Sequence, residues 1–219
     1  MHDHTEELFQ DVAMETRHDV LAPGASLLHG FALAQDATLL AAVQRINEAA
    51  PFRHWHTPGG LPMSVGMTNC GSLGWVSDRR GYRYQSTDPS TGLPWPPMPP
   101  IFLELAGAAA AAGGFSRFLP DACLVNRYLP GSRMAPHQDK DESDFAAPIV
   151  SVSLGLPAIF LFGGSRRADK PQRVPLQHGD VVVWGGAARL RYHGILPIKA
   201  GQHGLVGAQR LNLTFRRAL

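Results

Sequence analysis

Residues 210–216 read Arg-Leu-Asn-Leu-Thr-Phe-Arg, a strict alternation of polar and apolar side chains near the end of the 219-residue chain. Successive side chains of a β-strand point to opposite faces, so this alternation predicts a strand with Leu211, Leu213 and Phe215 facing a core. The other face carries Arg210, Asn212, Thr214 and Arg216. Two guanidinium groups on one polar strand face favour a dianion, because arginine forks bind carboxylates bidentately.

Short β-like runs divided by turn residues fill the chain from about residue 122 onward. The predicted strands span residues 123–129, 149–154, 158–162, 181–184, 190–193 and 210–215. Short strands at this spacing are typical of a sandwich or a jelly roll. We predict an α+β fold with a jelly-roll core, also called a double-stranded β-helix, at about residues 115–217. Inward side chains of several strands then converge on one site.

Two helices are predicted in the N-terminal half. An apolar stripe at helical spacing predicts a helix over residues 36–49, with Asp36 as its N-cap. An alanine-rich run after Pro100 predicts a second helix over residues 101–112, which ends at the glycine pair that follows.

The region between the helices, residues 51–100, is rich in glycine, proline and aromatic side chains. It contains strand-like pieces at residues 63–68 and 81–85, so it does not have the composition of a linker. We expect this region to form a lid within a single domain of residues 22–219. Residues 1–21 are expected to be a flexible tail.

Composition limits the class of protein. The chain is 44% hydrophobic, enough for one good core, but no run approaches the roughly 20 apolar residues that span a bilayer. The N-terminus lacks a signal-peptide pattern, so we expect a cytoplasmic monomer with no membrane partner. Cys70 and Cys123 form no CxxC or zinc spacing, and a disulfide is not expected.

Charge is unevenly distributed along the chain. Residues 1–19 hold six acids and one base, so the remaining 200 residues carry 19 bases against 12 acids, a net charge of +7. Two basic clusters could meet a phosphate backbone, or could be solvated loop charges. Their members are Arg79, Arg80 and Arg83 in the first, and Arg166, Arg167, Lys170 and Arg173 in the second.

An HxD motif occurs twice. His178-Gly179-Asp180 directly precedes an apolar strand, where Gly-Asp serves as a turn, so we interpret it as structural. His137-Gln138-Asp139 lies in a charged segment beside a predicted core strand and is the better metal candidate. His193 precedes a glycine that permits close backbone approach, and it is preferred over His203 as third ligand. Two histidines and a carboxylate with open positions are typical of iron(II) oxygenases.

Six segments carry a resemblance to a known family. They are NRY at 126–128, HQDKDE at 137–142, APIVSVSLGLPAIF at 147–160, HGDVVVWGG at 178–186, YHG at 192–194 and RLNLTFR at 210–216. Over about residues 22–217 the chain resembles the AlkB family of iron(II)- and 2-oxoglutarate-dependent nucleic-acid dealkylases. The order of HxD, a distant histidine and RxNxTxR is the specific part of this resemblance.

The resemblance implies roles for individual residues. His137, Asp139 and His193 would be the catalytic iron(II) ligands. Arg210 would bind the distal carboxylate of 2-oxoglutarate with help from Tyr128 and Asn212, and Arg216 and Asn126 would lie near the carboxylate that chelates iron. Substrate binding would fall to Trp75, Tyr82, Tyr84, Asp141 and Arg167. Without the metal motif, these aromatic residues would also fit core or lid packing.

The implied activity is a dioxygenase reaction that consumes 2-oxoglutarate and dioxygen. It would repair alkylated single- or double-stranded DNA, or RNA, by removing N-methyl groups from bases such as 1-methyladenine and 3-methylcytosine. Two alternatives remain open: an oxygenase that acts on protein or small molecules, and a nucleic-acid-binding module with a structural metal.

Overall fold

The computed structural model of the protein describes residues 17–219. In this part of the chain, helix α1 spans Asp36–Ala49 and helix α2 spans Pro100–Ala112. The strands are β1 His18–Ala22, β2 Ala25–Leu28, β3 Gly66–Gly71, β4 Gly74–Asp78, β5 Gly81–Gln85, β6 Ala122–Tyr128, β7 Met134–His137, β8 Ile149–Gly155, β9 Ala158–Phe162, β10 Gln172–Leu176, β11 Val181–Trp184, β12 His193–Ile195 and β13 Arg210–Arg216.

The strands form two facing sheets and a separate hairpin. The larger sheet has the order β1-β2-β11-β8-β13-β6-β3, and the smaller one has the order β10-β9-β12-β7. Strands β4 and β5 pair only with each other and form the lid hairpin, residues 74–85. Sequence-distant strands lie side by side, as expected of a jelly roll, and the predicted fold class is confirmed.

The two faces of the larger sheet bury different clusters. One face packs against α1 and α2, and it includes Leu211, Leu213 and Phe215 of β13. The other face meets the smaller sheet through apolar side chains such as Trp184 and Phe160. The alternation in β13 therefore divides the strand as predicted, and its polar side chains point into the space between the sheets, where all of them are buried.

Several strand predictions need correction. The run at residues 190–193 is not a strand; β12 begins only at His193, after a turn through residues 186–188. The strand expected at residues 63–68 lies at Gly66–Gly71. Residues 18–21 belong to β1, which pairs with β2, so the expected tail is too long by these residues. Of the rest of that tail, residues 1–16 lie outside the described residues.

Both cysteines are buried and free. They face each other across β3 and β6 in the register of the larger sheet. Among the described residues, neither helix has the length and apolar content to span a membrane.

Candidate active site

Three side chains with metal-binding atoms meet at one edge of the smaller sheet. His137 ends β7, His193 begins β12, and the register of these antiparallel strands places the two residues opposite each other. Asp139 follows β7 by two residues. The potential ligand atoms of the three side chains lie within 4.8 Å of one another, and no comparable cluster occurs in residues 17–219. The structure thus brings together the three predicted ligands.

A glycine permits this meeting of strands. A Cβ atom at Gly194 would lie 2.7 Å from the carbonyl oxygen of Met134 and 3.1 Å from the nitrogen of Pro136. These atoms belong to the backbone of β7 and cannot rotate away. A side chain at position 194 would therefore separate β12 from β7, and His193 would move away from His137.

The ring nitrogens of both histidines are arranged for metal binding. The Nδ1 atom of His137 lies 2.9 Å from the carbonyl oxygen of Ala135, and Nδ1 of His193 lies 3.1 Å from that of Arg191. A proton on Nδ1 satisfies each carbonyl and leaves Nε2 unprotonated. The Nε2 atoms lie 3.5 and 3.7 Å from the Asp139 carboxylate oxygens. Two imidazole Nε2 atoms and one carboxylate suit iron(II) and leave coordination positions open.

Asp139 is held ionised in this buried position. Burial alone would raise the pKa of its carboxyl group, but the positive charge of Arg216 and contributions from both histidines hold that pKa well below its usual range. Arg216 donates to Oδ2 of Asp139 through Nε at 2.9 Å and Nη2 at 2.6 Å. Burial and the nearby His137 ring lower the pKa of His193 to about 4, so this ring is neutral at physiological pH.

Arg210 has two donors without partners. Its Nη2 atom donates to Oγ of Ser153 at 3.0 Å, and its guanidinium carbon lies 5.0 Å from the ring centre of Tyr128. Nε and Nη1 are buried and make no hydrogen bond within the described structure, nor does the Oδ1 atom of Asn126. Buried donors without partners are unfavourable, so they favour the binding of an anion. A carboxylate of 2-oxoglutarate fits these donors.

Two other expected co-substrate residues are already engaged. Asn212 donates to Oγ of Ser151 and to the carbonyl oxygen of Val152, and its Oδ1 accepts from Thr214 and Asn126. Asn212 therefore holds β13 to its neighbours β6 and β8 through side-chain hydrogen bonds. Arg216 also lines the cavity, but its Nε and Nη2 atoms already point at Asp139.

A single cavity of about 460 Å³ joins these groups to the lid hairpin. Trp75 and Tyr82 of the hairpin line it and stack on each other, with ring centres 5.5 Å apart and planes 15° apart. The indole Nε1 of Trp75 donates to Oδ2 of Asp141 at 2.9 Å. Arg167 lines the cavity as well, with its guanidinium over the ring of Tyr192 at 5.6 Å. Four expected substrate residues thus surround one opening.

Tyr84 differs from the expectation. It does not line the cavity; its hydroxyl donates to Oε1 of Glu142 at 2.7 Å, in the interior behind the lid hairpin. Tyr84 shares a face of β5 with Tyr82, but the hairpin lies against the core at the Tyr84 end and is open at Tyr82, which is 46% exposed. Alternation alone did not distinguish these two tyrosines.

The second HxD motif makes contacts that fit the structural interpretation. His178 accepts a hydrogen bond from the backbone nitrogen of Gly155 through Nδ1, and its Nε2 lies 3.0 Å from Asp36. Asp180 accepts from the backbone nitrogens of Gly30 and Gln177. His203 stacks on His178 with ring centres 4.2 Å apart. These residues connect α1 to the sheet, away from the cavity.

Three site residues were not found by sequence reasoning. Asn69 donates to the carbonyl oxygen of Trp75 and accepts from its backbone nitrogen, which anchors the lid hairpin to β3. Arg189 donates to the carbonyl oxygen of Asp139 at 2.8 Å. Glu142 lies 3.2 Å from Arg189 and 3.3 Å from Arg216. Of these three residues, only Glu142 could have been identified from the sequence, because it is the last residue of the charged HQDKDE segment.

The two basic clusters are partly neutralised. Arg83 binds Asp78 bidentately at 2.8 and 2.9 Å, and Arg80 reaches the same carboxylate at 3.1 Å. Arg79 is exposed and makes no ion pair among the described residues. In the second cluster, Arg166 pairs with Asp169 at 3.3 Å. Of the two clusters, only Arg167 lines the cavity, and it makes no ion pair among the described residues.

Comparisons with known proteins agree with this geometry. A family model described as the 2OG-Fe(II) oxygenase superfamily matches residues 24–216. The alpha-ketoglutarate-dependent dioxygenase AlkB of Escherichia coli is 54% identical over 212 residues, which are 97% of this chain and 97% of that protein. The DNA N(6)-methyladenine demethylase ALKBH1C of Arabidopsis thaliana is 34% identical over 66% of this chain and 38% of its own.

The solved structure of OsALKBH1 superposes on this chain with a TM-score of 0.81 at 30% identity. The match covers 92% of this chain and all of that one.

Proposed function

The chain belongs to the 2OG-Fe(II) oxygenase superfamily, and we propose that it removes N-methyl groups oxidatively from bases of alkylated DNA. It is a dioxygenase that uses iron(II), 2-oxoglutarate and dioxygen. The proposed substrates are bases such as 1-methyladenine and 3-methylcytosine. RNA and double-stranded DNA are separate arms of the test below.

One observation carries this proposal. A single cavity contains the cluster of His137, Asp139 and His193, the partnerless donors of Arg210, and an aromatic and acidic wall on the lid hairpin. The first two groups serve any member of the superfamily. The lid wall, in which Trp75 lies beside Asp141, is what fits a flat, cationic methylated base.

The proposed roles in the metal and co-substrate site follow from the contacts. His137, Asp139 and His193 would hold iron(II), and Arg210 would bind the distal carboxylate of 2-oxoglutarate. Tyr128 and Asn126 lie opposite Arg210 and Asn212 across β6 and β13, so they would flank the same ligand.

The proposed base site uses four side chains. Trp75 would stack on the extruded base, and Tyr82 is exposed enough to meet the adjacent backbone. Asp141 accepts from Trp75 through Oδ2, which leaves Oδ1 free to accept from an exocyclic amine. Arg167 would meet a phosphate at the opening, because its guanidinium is not paired with a carboxylate in the described structure.

When bound, iron(II) with 2-oxoglutarate supplies the oxidation of the methyl carbon by dioxygen, and succinate is the co-product. The protein holds and orients the reactants. Arg216 fixes the rotamer of Asp139, and the carbonyl oxygens of Ala135 and Arg191 fix the two imidazoles. Phe160 and Trp184 pack against His193 and keep water away from that side.

The test is incubation with oligonucleotides that carry 1-methyladenine or 3-methylcytosine, as single- and double-stranded DNA and as RNA. We expect base repair with about one succinate per methyl group removed, and none without iron(II) or 2-oxoglutarate. His137→Ala should abolish turnover. The matched control is His178→Ala, in the other HxD motif, which should retain it.

Three outcomes would contradict the proposal or its site assignment. Succinate release that no methylated oligonucleotide stimulates would indicate an oxygenase for protein or small molecules. Binding of the oligonucleotides without any turnover would indicate a binding module. Equal loss of activity in His178→Ala and His137→Ala would show that the wrong motif was chosen.

We also propose that residues 18–219 act as one domain and that the protein is a cytoplasmic monomer. A single cavity lined by the lid hairpin and both sheets supports the one-domain proposal. Elution at the mass of one chain in size-exclusion chromatography with light scattering is the expected result; a dimer would contradict it.

A further inference from the structure

Glu142 is a buried carboxylate outside the cavity. It follows Asp141 and is 5% exposed, and it does not line the opening. The two consecutive acids therefore have different surroundings: Asp141 is exposed beside Trp75, whereas Glu142 points inward beneath the lid hairpin. A buried carboxylate needs charged or hydrogen-bonding partners, and those of Glu142 come from three separate segments.

The lid hairpin contacts both acids through a cross-strand pair. Trp75 of β4 and Tyr84 of β5 are opposite each other in the hairpin register. Trp75 donates to Asp141 at 2.9 Å, and Tyr84 donates to Glu142 at 2.7 Å. Neighbouring side chains of the lid are thereby fixed to neighbouring residues of the segment that carries Asp139.

On its other side, Glu142 meets two buried arginines. Its Oε1 atom lies 3.3 Å from Nε of Arg216, and its Oε2 lies 3.2 Å from Nη2 of Arg189. Each arginine also holds Asp139. Arg216 donates to its carboxylate at 2.6 and 2.9 Å, and Arg189 donates to its backbone carbonyl at 2.8 Å.

Arg189 additionally donates to the carbonyl oxygen of Ala147 at 3.1 Å. It therefore fixes both ends of the loop from Asp139 to Ala147. Because Arg189 precedes His193 by only four residues, it also joins this loop to the segment that carries the third proposed ligand.

We propose that Glu142 is a positioning residue that couples the lid hairpin to Asp139 through Tyr84 on one side and Arg216 and Arg189 on the other. This inference rests on the proposed function, because the lid is assumed to receive the base. The carboxylate keeps both arginines directed at Asp139, and the Tyr84 hydroxyl transmits the position of the lid. Removal of the negative charge would leave two buried cations with one carboxylate.

A purely structural role for Glu142 would also make it sensitive to substitution, so stability alone does not test the coupling. Tyr84→Phe separates the two roles. It retains the ring packed against Leu73, Ala122 and Ala218, and it removes only the hydroxyl that reaches Glu142.

The experiment compares wild type, Glu142→Gln, Tyr84→Phe and the control Asp88→Asn. Asp88 is also buried and pairs with an arginine, Arg53. It follows the lid hairpin in sequence and makes no hydrogen bond to the segment that carries Asp139. Manganese(II) affinity is measured without nucleic acid. The charge-transfer absorption of the iron(II)–2-oxoglutarate complex is recorded without oxygen, and succinate formed per base repaired is measured with 3-methylcytosine DNA.

We expect Glu142→Gln to weaken manganese(II) binding by about tenfold or more, as is common for groups that orient metal ligands, and to shift the absorption band. Tyr84→Phe should bind manganese(II) within about twofold of wild type, because it leaves the charges in place. It should nevertheless form more succinate per repaired base. Asp88→Asn should change neither the manganese(II) affinity nor the succinate formed per repaired base.

Unchanged metal affinity and absorption in Glu142→Gln would overturn the positioning role, and an unchanged succinate ratio in Tyr84→Phe would overturn the coupling to the lid. If Glu142→Gln does not fold, the Tyr84→Phe ratio still decides the coupling. If the proposed function is wrong, the wild-type protein will not repair the base. The manganese(II) affinity and the absorption spectrum still test the positioning role in that case, because they are measured without nucleic acid.

Discussion

At the scale of single residues, the two arginines of β13 have opposite environments. Arg216 is neutralised by Asp139, whose charge outweighs burial and raises the pKa of the guanidinium. Arg210 has no carboxylate partner in the described structure, and burial lowers its pKa. An anion that enters the cavity therefore finds a desolvated guanidinium with free donors at Arg210 and a satisfied one at Arg216. The two residues are expected to respond differently to substitution.

Arg210→Lys tests the anion site. A lysine ammonium cannot reproduce the planar fork. We expect the apparent 2-oxoglutarate requirement to rise about tenfold or more, since one charge-assisted hydrogen bond contributes about 1.5 to 3 kcal/mol. The measurement is succinate formation against 2-oxoglutarate concentration. Arg45→Lys on the exposed side of α1 is the control and should match wild type. An unchanged requirement in Arg210→Lys would exclude Arg210 as the anchor.

Asp141→Ala tests base discrimination. The carboxylate offsets a cationic ring and accepts from an exocyclic amine, so its loss should slow repair of 1-methyladenine and 3-methylcytosine more than of neutral 1-methylguanine and 3-methylthymine. Relative rates on the four lesions are compared in one sequence context. Uncoupled 2-oxoglutarate consumption reports whether the metal site is intact.

Asp141 also accepts from the indole of Trp75, so Asp141→Ala frees that ring. Trp75→Ala separates this effect, because the loss of one stacking contact, about 1 to 3 kcal/mol, should affect all four lesions alike. An equal slowing of the four lesions in Asp141→Ala would mean that Asp141 acts only through the position of Trp75.

At the scale of elements, the pairing of β7 with β12 sets the distance between the proposed metal ligands. His137 and His193 are direct partners, with ring centres 4.4 Å apart. Gly194 follows His193 and lies against the backbone of β7 without space for a Cβ atom. The close approach of β7 and β12 therefore depends on the absence of a side chain at position 194.

Gly194→Ala should push β12 away from β7. Overpacking of this kind is expected to lower the free energy of unfolding by about 1 to 3 kcal/mol and to weaken manganese(II) binding as well. Urea unfolding and metal titration measure the two effects. Gly204→Ala is the control, because a Cβ there has no neighbour within 4 Å. Retention of full metal affinity by Gly194→Ala would show that the strand spacing does not control the site.

At the scale of the whole molecule, the proposed metal and 2-oxoglutarate ligands come from both sheets. His137 and His193 belong to the smaller sheet, whereas Arg210 and Asn126 belong to the larger one. A ligand that bridges them connects the two layers. Such a ligand binds only the folded protein, so it must stabilise the fold against unfolding.

Manganese(II) together with 2-oxoglutarate should raise the melting temperature of the full chain. Ligand at one hundred times its dissociation constant adds about 2.7 kcal/mol to the free energy of unfolding. Differential scanning fluorimetry with each ligand alone and with both measures this gain. His137→Ala should lose the metal-dependent part. A melting temperature that does not respond to metal in wild type would contradict a site that bridges the sheets.

The sequence by itself determined β13, both helices and the chemical groups, but it did not predict β7 or β10. The alternation in residues 210–216 predicted both faces of β13, and apolar spacing predicted the range of α1. The predicted N-cap is wrong, because Asp36 is the first residue of the helix and Gln35 is the N-cap. Turn chemistry predicted a structural role for His178 and Asp180, and their contacts with the backbone fit that prediction. These features depend on local periodicity and on neighbouring residues, which a sequence displays directly.

Only the tertiary structure decided which side chains meet. Tyr84 and Tyr82 have the same pattern, yet one faces Glu142 and the other faces the opening, because the hairpin lies against the core at one end only. The run at 190–193 has strand-like composition, but a tight turn before His193 brings that residue opposite His137. The contacts of Arg189 and Glu142 join segments that are far apart in sequence. Such contacts arise from packing between sheets, for which local periodicity carries no signal.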